Sequence, residues 1–508
     1  MCILIKKRKS LAYSFMLPLD NGQIFAYNLN HRKRQLLAYN INDISFFVNK
    51  DPEKLPVSCE FYFGTMTKSD GEYSNRQYKV ERRMFMGRQN YYICIDLKSF
   101  YASVECVERG LDPFQSNLVV ADPERSKSTI CLAITPAMKR LGVKNRCRIH
   151  EIPDHIKYIT AMPRMQLYLD YSAWIYSIYL KYVSKEDIHV YSVDECFIDV
   201  TEYLQFHHMT PKELAFEMMR AVKDETGITA TAGVGTNLYL AKIAMDILAK
   251  HADDHIGVLD EISYREQLWD HQPLRDFWRI GSRTEKKLAG YGIHTMGDIA
   301  LASISSEDLL YKIFGIDAEL LIDHAWGYEF CRMCDIKNYH TEEHSLSNGQ
   351  VLMRNYKYEE AVVIAKEMAD VLALDLLEKG LVASSITLWI AYDHRYGQEP
   401  SKGTERFFNP TNSSKSIIGA VEKMYRKITD PYTGIRRVEI SANKVLPESY
   451  MQYDLFSSSF SQEKEKSLQK AVLEVKKRYG KNAIMRGVNL LDCSTYRERN
   501  NQIGGHKA

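Results

Sequence analysis

The sequence of 508 residues lacks any run of about 18 consecutive apolar residues, which is the length that a membrane-spanning helix needs. Its start is basic from Lys6 to Lys9, but no apolar stretch with a cleavage site follows, so a secretory signal is not predicted. The chain also lacks internal repeats and long low-complexity tracts. These absences favour a globular, modular and cytoplasmic protein.

A disulfide framework and an excess of one charge are missing as well. The 10 cysteines are scattered, and Cys94, Cys131 and Cys196 each stand alone in an apolar run, which favours buried thiols in a reducing compartment. The formal net charge is only +2, so any surface that binds nucleic acid must be local. With 45% hydrophobic residues, the chain can bury several cores, in roughly three to five domains.

Two short apolar runs carry acidic residues. Residues 91–97 are rich in β-formers and contain Asp96 near their end, which predicts a buried central strand. Residues 188–193 form a second such run that ends in Asp194 and Glu195, after which strand character resumes. The second region therefore predicts a hairpin with acids at its bend.

Other segments show helical or strand periodicity. Short apolar and aromatic runs in the otherwise unassigned residues 1–88 suggest strands between 23 and 48. The spacing of apolar residues predicts the following elements: helices at 165–183, 211–225 and 358–379, a helix, glycine turn and helix over 277–300, a strand at 383–391, and a helix at 461–479 with Leu468, Val472 and Val475 on its apolar side. Strands that alternate with helices indicate an α/β or α+β core.

The three acids have the chemistry of a metal-dependent phosphoryl-transfer site. Such a reaction needs Mg²⁺ ions that activate the attacking oxygen and neutralise the leaving phosphate, and Mg²⁺ prefers hard oxygen ligands. If the two strands are neighbours, Asp96, Asp194 and Glu195 meet, and a metal relieves their repulsion. The alternative is that each is an ordinary acid at a strand end.

Three motifs resemble those of the Y-family DNA polymerases, which resolves that alternative in favour of a site. They are IDLKSFYASVE at 95–105, YSVDECFID at 191–199 and TAGVGTNLYLAKIA at 231–244. The resemblance covers about residues 90–485 and is strongest to UmuC and the UmuC-like polymerases of Gram-positive bacteria. It implies that Asp96 and Asp194 hold two Mg²⁺ ions, with the Leu97 carbonyl as a further ligand, and that Glu195 completes the catalytic site near the primer 3′ hydroxyl.

The resemblance also implies a nucleotide-binding set. Phe100 and Tyr101 would lie at the incoming nucleotide, and Tyr101 would be the steric gate that excludes ribonucleotides by leaving no room for a 2′-hydroxyl. Lys242 would act as a point charge on the triphosphate. The alternatives are that Tyr101, one of 33 tyrosines, is core and that Lys242 is a solvated helix lysine.

One stretch departs from the family pattern. Residues 135–144, TPAMKRLGVK, stand where many members carry a tyrosine and an arginine that hold the triphosphate. Pro136 has no hydroxyl, and Lys139 keeps the charge without bidentate geometry. Arg140 is a candidate substitute, so we expect phosphate binding on this side to be rearranged.

Two later regions resemble the DNA-binding parts of the family. Residues 280–293 resemble the helix-hairpin-helix of the thumb, whose backbone N–H groups and basic side chains contact phosphates, with Gly281, Ser282, Arg283 and Thr284 at the contact. Residues 341–446 resemble the little-finger domain, where Arg436 and Arg437 would bind the duplex backbone. The alternatives are an ordinary helical hairpin and a solvated basic face.

Two short patterns complete the set. Residues 452–456, QYDLF, look like the peptide that binds bacterial polymerases to the sliding clamp, with Gln452, Leu455 and Phe456 as contacts. Cys331 and Cys334, with His340 and His344, have intervals that zinc ligands use, but the two pairs are too close for a standard finger. We therefore expect linker and core thiols there.

The predicted fold is a multidomain α+β right-hand polymerase with palm, small fingers, helical thumb and little-finger domain. The predicted boundaries are 1–88 for an unassigned extension, 89–104 and 166–260 for the palm, 105–165 for the fingers, 261–335 for the thumb, 341–446 for the little finger and 447–508 for a C-terminal tail.

The predicted function is template-directed, error-prone DNA synthesis past lesions, from primer-template DNA, deoxynucleoside triphosphates and a sliding clamp. One alternative is a non-catalytic homologue that binds DNA and the clamp. The retained acids oppose it, because clustered carboxylates are costly. Another palm enzyme, such as a nucleotide cyclase, is opposed by the hairpin-helix motif and the clamp-like peptide.

Overall fold

The computed structural model describes residues 14–18, 23–28, 36–40, 89–124, 129–339, 345–450 and 459–508. The chain forms two compact units, Met1–Arg88 and Gln89–Ala508. The first unit contains a three-stranded antiparallel sheet in the order β1-β2-β3, with β1 at Ser14–Pro18, β2 at Gln23–Asn28 and β3 at Leu36–Asn40. The pairing of β2 with β3 confirms the strands predicted between residues 23 and 48.

The second unit contains the remaining elements. Its strands are β4 (Tyr92–Leu97), β5 (Leu118–Val120), β6 (Ala133–Ile134), β7 (Ile159–Ala161), β8 (Ile188–Val190), β9 (Glu195–Asp199), β10 (Ala230–Gly235), β11 (Ile256–Leu259), β12 (Ser345–Tyr356), β13 (Leu381–Tyr392), β14 (Ser401–Thr411), β15 (Ile435–Pro447), β16 (Gln502–Ile503) and β17 (His506–Lys507). Its helices are α1 (Phe100–Val107), α2 (Pro136–Arg140), α3 (Met165–Tyr179), α4 (Leu204–His207), α5 (Pro211–Thr226), α6 (Leu238–Ile243), α7 (Glu261–Leu268), α8 (Ser282–Ala289), α9 (Met296–Ser305), α10 (Glu307–Phe314), α11 (Asp317–Trp326), α12 (Met333–Asn338), α13 (Tyr358–Glu378), α14 (Ser414–Ile428), α15 (Ser459–Tyr479) and α16 (Tyr496–Asn500).

A five-stranded sheet in the order β11-β10-β4-β9-β8 forms the centre of the catalytic part. Strand β4 is antiparallel to both of its neighbours, and four of its six residues are fully buried apolar or aromatic side chains before Asp96. Strands β8 and β9 are an antiparallel hairpin. The buried central strand and the acidic hairpin predicted from the sequence are therefore confirmed, and the two are neighbours in one sheet.

Helices α1, α3 and α5 bury their apolar sides against this sheet in one hydrophobic cluster. Helix α5 shows why the sequence places it there: Leu214, Met218 and Val222 are fully buried at helical spacing. Its start is fixed by a capping box, in which Thr210 Oγ1 accepts from the Glu213 N–H and the Glu213 carboxylate accepts from the Thr210 N–H.

Two glycines in β10 allow helix α6 to lie directly on the sheet. A Cβ atom at Gly233 would be 2.0 Å from the Ala241 carbonyl oxygen, and one at Gly235 would be 2.2 Å from the Ala241 nitrogen. No side chain fits such distances, so the glycines set the depth of α6. Directly after α6, residues Ala244–Leu248 continue as a π-helical turn, a feature that recurs at functional sites.

Two smaller lobes adjoin the sheet. A three-stranded sheet in the order β6-β5-β7 packs with α2 around Val119, Ile134 and Met138. Helices α7 to α11 form a separate helical core. Within it, α8 and α9 form the predicted helical hairpin, with Gly292 in the left-handed region (φ 76°) at the turn.

The last domain is a four-stranded antiparallel sheet, β12-β15-β13-β14, with α13 and α14 on one face. The helix predicted at 358–379 is α13, which ends one residue earlier than predicted. The strand predicted at 383–391 lies within β13. The mixed α and β elements confirm the predicted fold class.

Residues 459–500 are packed on this last domain. Gln469 of α15 is buried and donates from Nε2 to the Asn412 carbonyl at 3.1 Å, and Arg486 forms a bidentate pair with Asp370 of α13 at 3.0 and 2.8 Å. The sequence prediction for α15 was wrong in one respect, because Leu468 is 65% exposed while its polar neighbour Gln469 is buried. The side of α15 that faces the domain is therefore the side that carries the hydrogen-bonding Gln469.

The C-terminal hairpin β16-β17 returns to the catalytic part. Ile503 packs against the cluster under the central sheet, and Lys507 Nζ lies 2.5 Å from Glu124 Oε2. In the described part of the chain, no helix is long and apolar enough to cross a bilayer.

Candidate active site

The pairing of β4 with β9 brings the three predicted acids to one end of the central sheet. Asp96 and Glu195 are partners across the antiparallel pair. The Leu97 N–H donates to the Asp194 carbonyl at 2.9 Å, which holds the acidic turn against the end of β4. On the other side, Thr231 of β10 is the partner of Asp96.

Asp194 is oriented by its own turn. Its Oδ1 accepts from the Ser192 hydroxyl at 2.7 Å, and its N–H donates to the same hydroxyl oxygen at 3.3 Å. A short side-chain bond of this kind fixes a turn at the place where the chain reverses. The Asp194 carboxylate is therefore kept beside Asp96.

Ser99 forms the tight connection between β4 and α1. Its backbone is left-handed, with φ 49° and ψ 43°, which is an unfavourable region for a residue with a side chain. Such conformations cluster at functional sites. The turn places Tyr101, on the first turn of α1, immediately after the end of the strand that carries Asp96.

Glu195 is turned toward a buried lysine. Its Oε1 lies 2.9 Å from Lys242 Nζ and accepts from the Cys94 thiol at 3.3 Å. Burial raises the pKa of Glu195, although Lys242 and the two hydrogen bonds act in the opposite direction. Glu195 thus lies at the acidic site but is already paired.

Lys242, which is predicted as a point charge on the triphosphate, is paired with two carboxylates in the structure. Its side chain is 9% exposed, and Nζ lies 2.9 Å from Glu195 and 3.1 Å from Asp246. Burial lowers the pKa of Lys242, but the neighbouring anions more than offset this and raise it. The π-helical turn supplies Asp246, so this lysine neutralises carboxylates under the site.

The Asp96 carboxyl is buried beside other acids. Burial, followed by repulsion from Asp194 and Glu195, raises the pKa of Asp96 to about 7, although Lys242 acts in the opposite direction. A carboxyl group held at such a value binds a proton near neutral pH unless a cation replaces the proton. The site therefore favours a cation beside Asp96.

The acids offer the oxygen donors that Mg²⁺ prefers, but Glu195 differs from the other two. Among the described residues, no group of three or more His, Cys, Asp or Glu side chains is arranged as a preformed metal site. Asp96 and Asp194 supply adjacent hard oxygen donors next to Leu97, whereas Glu195 is drawn to Lys242. Two carboxylates, rather than three, are available to a metal in this arrangement.

The two aromatic residues of the first motif differ in their surroundings. Phe100 is 2% exposed and its side chain belongs to the core cluster. Tyr101 is half-buried, and burial, then the nearby Asp194, raises the pKa of its hydroxyl. Tyr101 is thus the aromatic residue at the acidic site.

Two lysines, Lys98 and Lys139, interact electrostatically with Asp96. Burial lowers the pKa of Lys139; the charge of Asp96 opposes this shift and the charge of Lys250 adds to it. Burial also lowers the pKa of Lys98; here Asp96 opposes the shift and Lys139 adds to it. Lys98, Lys139 and Lys250 therefore form a basic group near the acids. Arg140 is separate, because its guanidinium donates to the Phe114 carbonyl, so the structure does not bring it to the site.

Lys98 and Lys250 were missed by the sequence reasoning. A usable signal existed for Lys250: Lys242 is surrounded by apolar residues in LYLAKIA, which predicts burial and pairing, whereas Lys250 follows the end of that apolar segment. Lys250 is the first solvent-exposed lysine after the motif.

The predicted DNA-contacting residues lie at two surfaces. Gly281 is the N-cap of α8, and Gly281, Ser282 and Arg283 are exposed while Thr284 is half-buried, so this helix start is accessible to a phosphate.

Arg436 and Arg437 of β15 are not equivalent. Arg437 is exposed, donates to Glu439 at 2.9 Å and lies 5.2 Å from the ring centre of Trp389, on the sheet face away from the helices. Arg436 is half-buried and falls at a bulge in the pairing of β15 with β13. The two arginines therefore do not form one continuous patch.

Two predicted motifs fall partly or wholly outside the described residues. The predicted clamp-binding residues Gln452, Leu455 and Phe456 lie outside the described residues, and so do His340 and His344. Cys331 and Cys334 are described and are exposed free thiols, so they belong to a linker and not to a core. Cys94, Cys131 and Cys196 are buried free thiols, as predicted.

Comparison with known proteins gives a consistent result. Sequence models of the impB/mucB/samB family match residues 95–246, and those of its C-terminal domain match residues 343–455, together a little over half of the chain. Among curated proteins, the "Putative UV-damage repair protein UvrX" of Bacillus subtilis is 29% identical over 421 residues, which is 82% of this chain and 97% of the relative. "DNA polymerase IV 2" of the same organism is 27% identical over 424 residues, covering 83% and 100%.

A solved structure of a Y-family DNA polymerase chimera superposes with a TM-score of 0.55 at 22% identity and covers 70% of this chain and 99% of that one, which establishes the fold. The class defined by fold and site is thus a multidomain α+β polymerase. The chain belongs to the impB/mucB/samB family, as a UmuC-like member of the Y-family polymerases of Gram-positive type. The family resemblance predicted from the sequence is confirmed.

Proposed function

We propose that the chain is a template-directed DNA polymerase of the error-prone, lesion-bypass type that acts in DNA repair or damage tolerance. The observation that carries this proposal is the convergence of Asp96 and Asp194 at one end of the central sheet, within the matched family region. Its relatives include proteins named DNA polymerase IV and a UV-damage repair protein. DNA synthesis in bacteria takes place in the cytoplasm, so the predicted location is kept as part of the proposal.

We propose the predicted domain boundaries with one change. The five-stranded sheet supports a palm at 89–104 and 166–260, the small sheet supports fingers at 105–165, and the helical core supports a thumb at 261–335. The little finger would begin at 341. Because residues 459–500 pack on the domain of the four-stranded sheet, we assign them to that domain instead of to a separate tail.

Two Mg²⁺ ions are proposed as cofactors, held by Asp96, Asp194 and the Leu97 carbonyl. When bound, they would lower the pKa of the primer 3′ hydroxyl and neutralise the triphosphate. The chain's own residues supply the rest. Lys139 and Lys250 would bind the phosphates, and Glu195, which is paired with Lys242, would lie near the reacting hydroxyl. Tyr101, which is near Asp194, would act as the sugar gate.

Binding of the primer-template is proposed at two surfaces, the exposed start of α8 and the open face of the last sheet around Arg437. The first of these offers backbone N–H groups at Gly281 and Ser282, and it is therefore independent of base sequence. A sliding clamp is proposed as a further partner at residues 452–456, on the sequence pattern alone.

The test is primer extension with Mg²⁺ and deoxynucleotides on intact and abasic templates, comparing the wild type with Asp96→Asn. We expect extension by the wild type, passage over the abasic position, and loss of extension in the variant with DNA binding retained. Asp224→Asn, on an exposed position of α5, is the matched control. A folded wild type that binds DNA but does not extend a primer, even with a clamp present, would indicate a non-catalytic homologue.

A further inference from the structure

The ring of Tyr101 is supported from behind by a second tyrosine. Tyr101 on α1 and Tyr168 on α3 are stacked, with ring centres 4.5 Å apart and planes 16° from parallel. Tyr168 has no exposed surface, so it cannot itself contact a substrate. The Tyr101 ring therefore has one face on a fixed aromatic surface.

Tyr168 is held at its hydroxyl end by a buried carboxylate. Its hydroxyl donates to Glu105 Oε1 at 2.9 Å. Glu105 is fully buried and accepts two bonds from Arg164, from Nε and Nη2, each at 2.9 Å, and it is also paired with Arg109. A buried charge is stable only when paired and hydrogen-bonded in this way. The network fixes the position of Tyr168.

A sugar gate works only if its ring cannot move away. Excluding a ribonucleotide requires that one oxygen atom, the 2′-hydroxyl, meets a wall that does not yield, and a displacement of about 1 Å at a binding site is enough to change selectivity. A half-buried tyrosine on the first turn of a helix has other side-chain rotamers available to it. Contact with a buried ring removes the space that such a movement needs.

We propose that Tyr168, held by Glu105, is a positioning residue that sets the discrimination between deoxyribonucleotides and ribonucleotides by fixing the Tyr101 ring. The inference rests on the proposed function, in which Tyr101 is the gate. It adds a buried pair, outside the nucleotide site itself, that controls how rigid the gate is.

Helix α3 offers a matched control one turn further on. The Tyr171 hydroxyl donates to Glu108 at 2.8 Å, so it also joins α3 to the end of α1 through a tyrosine and a glutamate. Its ring contacts Trp174 instead of Tyr101. Tyr171→Phe therefore removes a comparable bond between the same segments without changing the support of Tyr101.

The experiment measures kcat/KM for a deoxynucleotide and for the matching ribonucleotide on one template, and takes their ratio. This ratio is a property of each variant and does not depend on the fraction of protein that is active, so a loss of stability alone does not alter it. We expect Tyr168→Leu to lower the ratio about tenfold, Tyr168→Phe and Glu105→Gln to lower it about threefold, and Tyr171→Phe to leave it unchanged.

Tyr101→Ala separates the two levels of the proposal. If Tyr101→Ala leaves the ratio unchanged, Tyr101 is not the gate and the inference fails with that assignment. If Tyr101→Ala lowers the ratio but Tyr168→Leu does not, the gate is correct and the support by Tyr168 is refuted. Should Tyr168→Leu fail to fold, unchanged ratios in both Tyr168→Phe and Glu105→Gln overturn the inference.

Discussion

Replacing Asp96 by asparagine should make the metal-free protein more stable above neutral pH while it abolishes catalysis. Burial and the neighbouring acids raise the pKa of Asp96 from 3.8 to about 7. The folded chain therefore keeps a proton that the unfolded chain releases near pH 4. Because the unfolded state binds fewer protons in this window, the stability of the wild type falls as pH rises from about 4 to about 7.

The size of the effect follows from the same values. At about 1.4 kcal/mol for each pH unit between the two pKa values, ionising Asp96 in the fold costs about 4 kcal/mol of unfolding free energy at pH 8. Asparagine has a similar shape and no charge to develop, so Asp96→Asn should recover most of this, about 2–4 kcal/mol. Near pH 4 both side chains are neutral in the fold and the difference should vanish.

The assay is urea denaturation in EDTA at pH 8, 6 and 4.5, with Asp224→Asn as an exposed control. We expect the advantage of Asp96→Asn to shrink steadily toward low pH and the control to follow the wild type. Added Mg²⁺ should stabilise the wild type more than the variant, because the cation takes the place of the proton. Equal stability at pH 8, or an advantage that does not change with pH, would refute the reasoning.

Three further predictions concern other parts of the chain. Lys139→Ala should raise KM for the deoxynucleotide about tenfold through loss of a charged phosphate contact, whereas Arg140→Ala should change it little; steady-state kinetics would contradict this if the order were reversed. Gly233→Ala should destabilise the fold by more than about 3 kcal/mol, since its Cβ would meet backbone atoms, and a normal melting temperature would disprove the close packing of α6 on β10. Gln469→Leu should lower the free energy of unfolding by about 1–2 kcal/mol, because it leaves buried hydrogen-bonding partners unpaired. The exposed control Lys470→Ala should change it very little. Equal midpoints of urea denaturation for the two variants would show that α15 is loosely attached.

The strands and helices around the site could be predicted because their signals are local. The run before Asp96 is short, apolar and rich in β-formers, and Asp194 interrupts a similar run, so the strand and the acidic bend follow from periodicity. The pairing of Asp96 with Glu195 is a different matter. The register of two strands separated by about a hundred residues depends on tertiary packing, and only the family resemblance indicated it.

At the site, the resemblance assigned residue types to roles and left the side-chain surroundings open. Lys242 and Phe100 were predicted at the nucleotide, and the fold buries both side chains. Arg140 was an alternative to Lys139 on charge alone, and the two differ because consecutive helix positions point about 100° apart. At α15 the apolar pattern favoured Leu468, but hydrogen bonding by Gln469 determined which side faces the domain.

The attachment of α15 to the last domain changes what residues 452–456 can do mechanically. The chain is held on both sides of them, by Glu448–Tyr450 beyond β15 and by Ser459–Tyr479, both parts of one folded body. A partner that bound to a free chain end could rotate around a single point of attachment. A partner bound between two attached segments is joined through two anchor points, so torque on the partner would be transmitted to the last domain, where we propose that DNA binds.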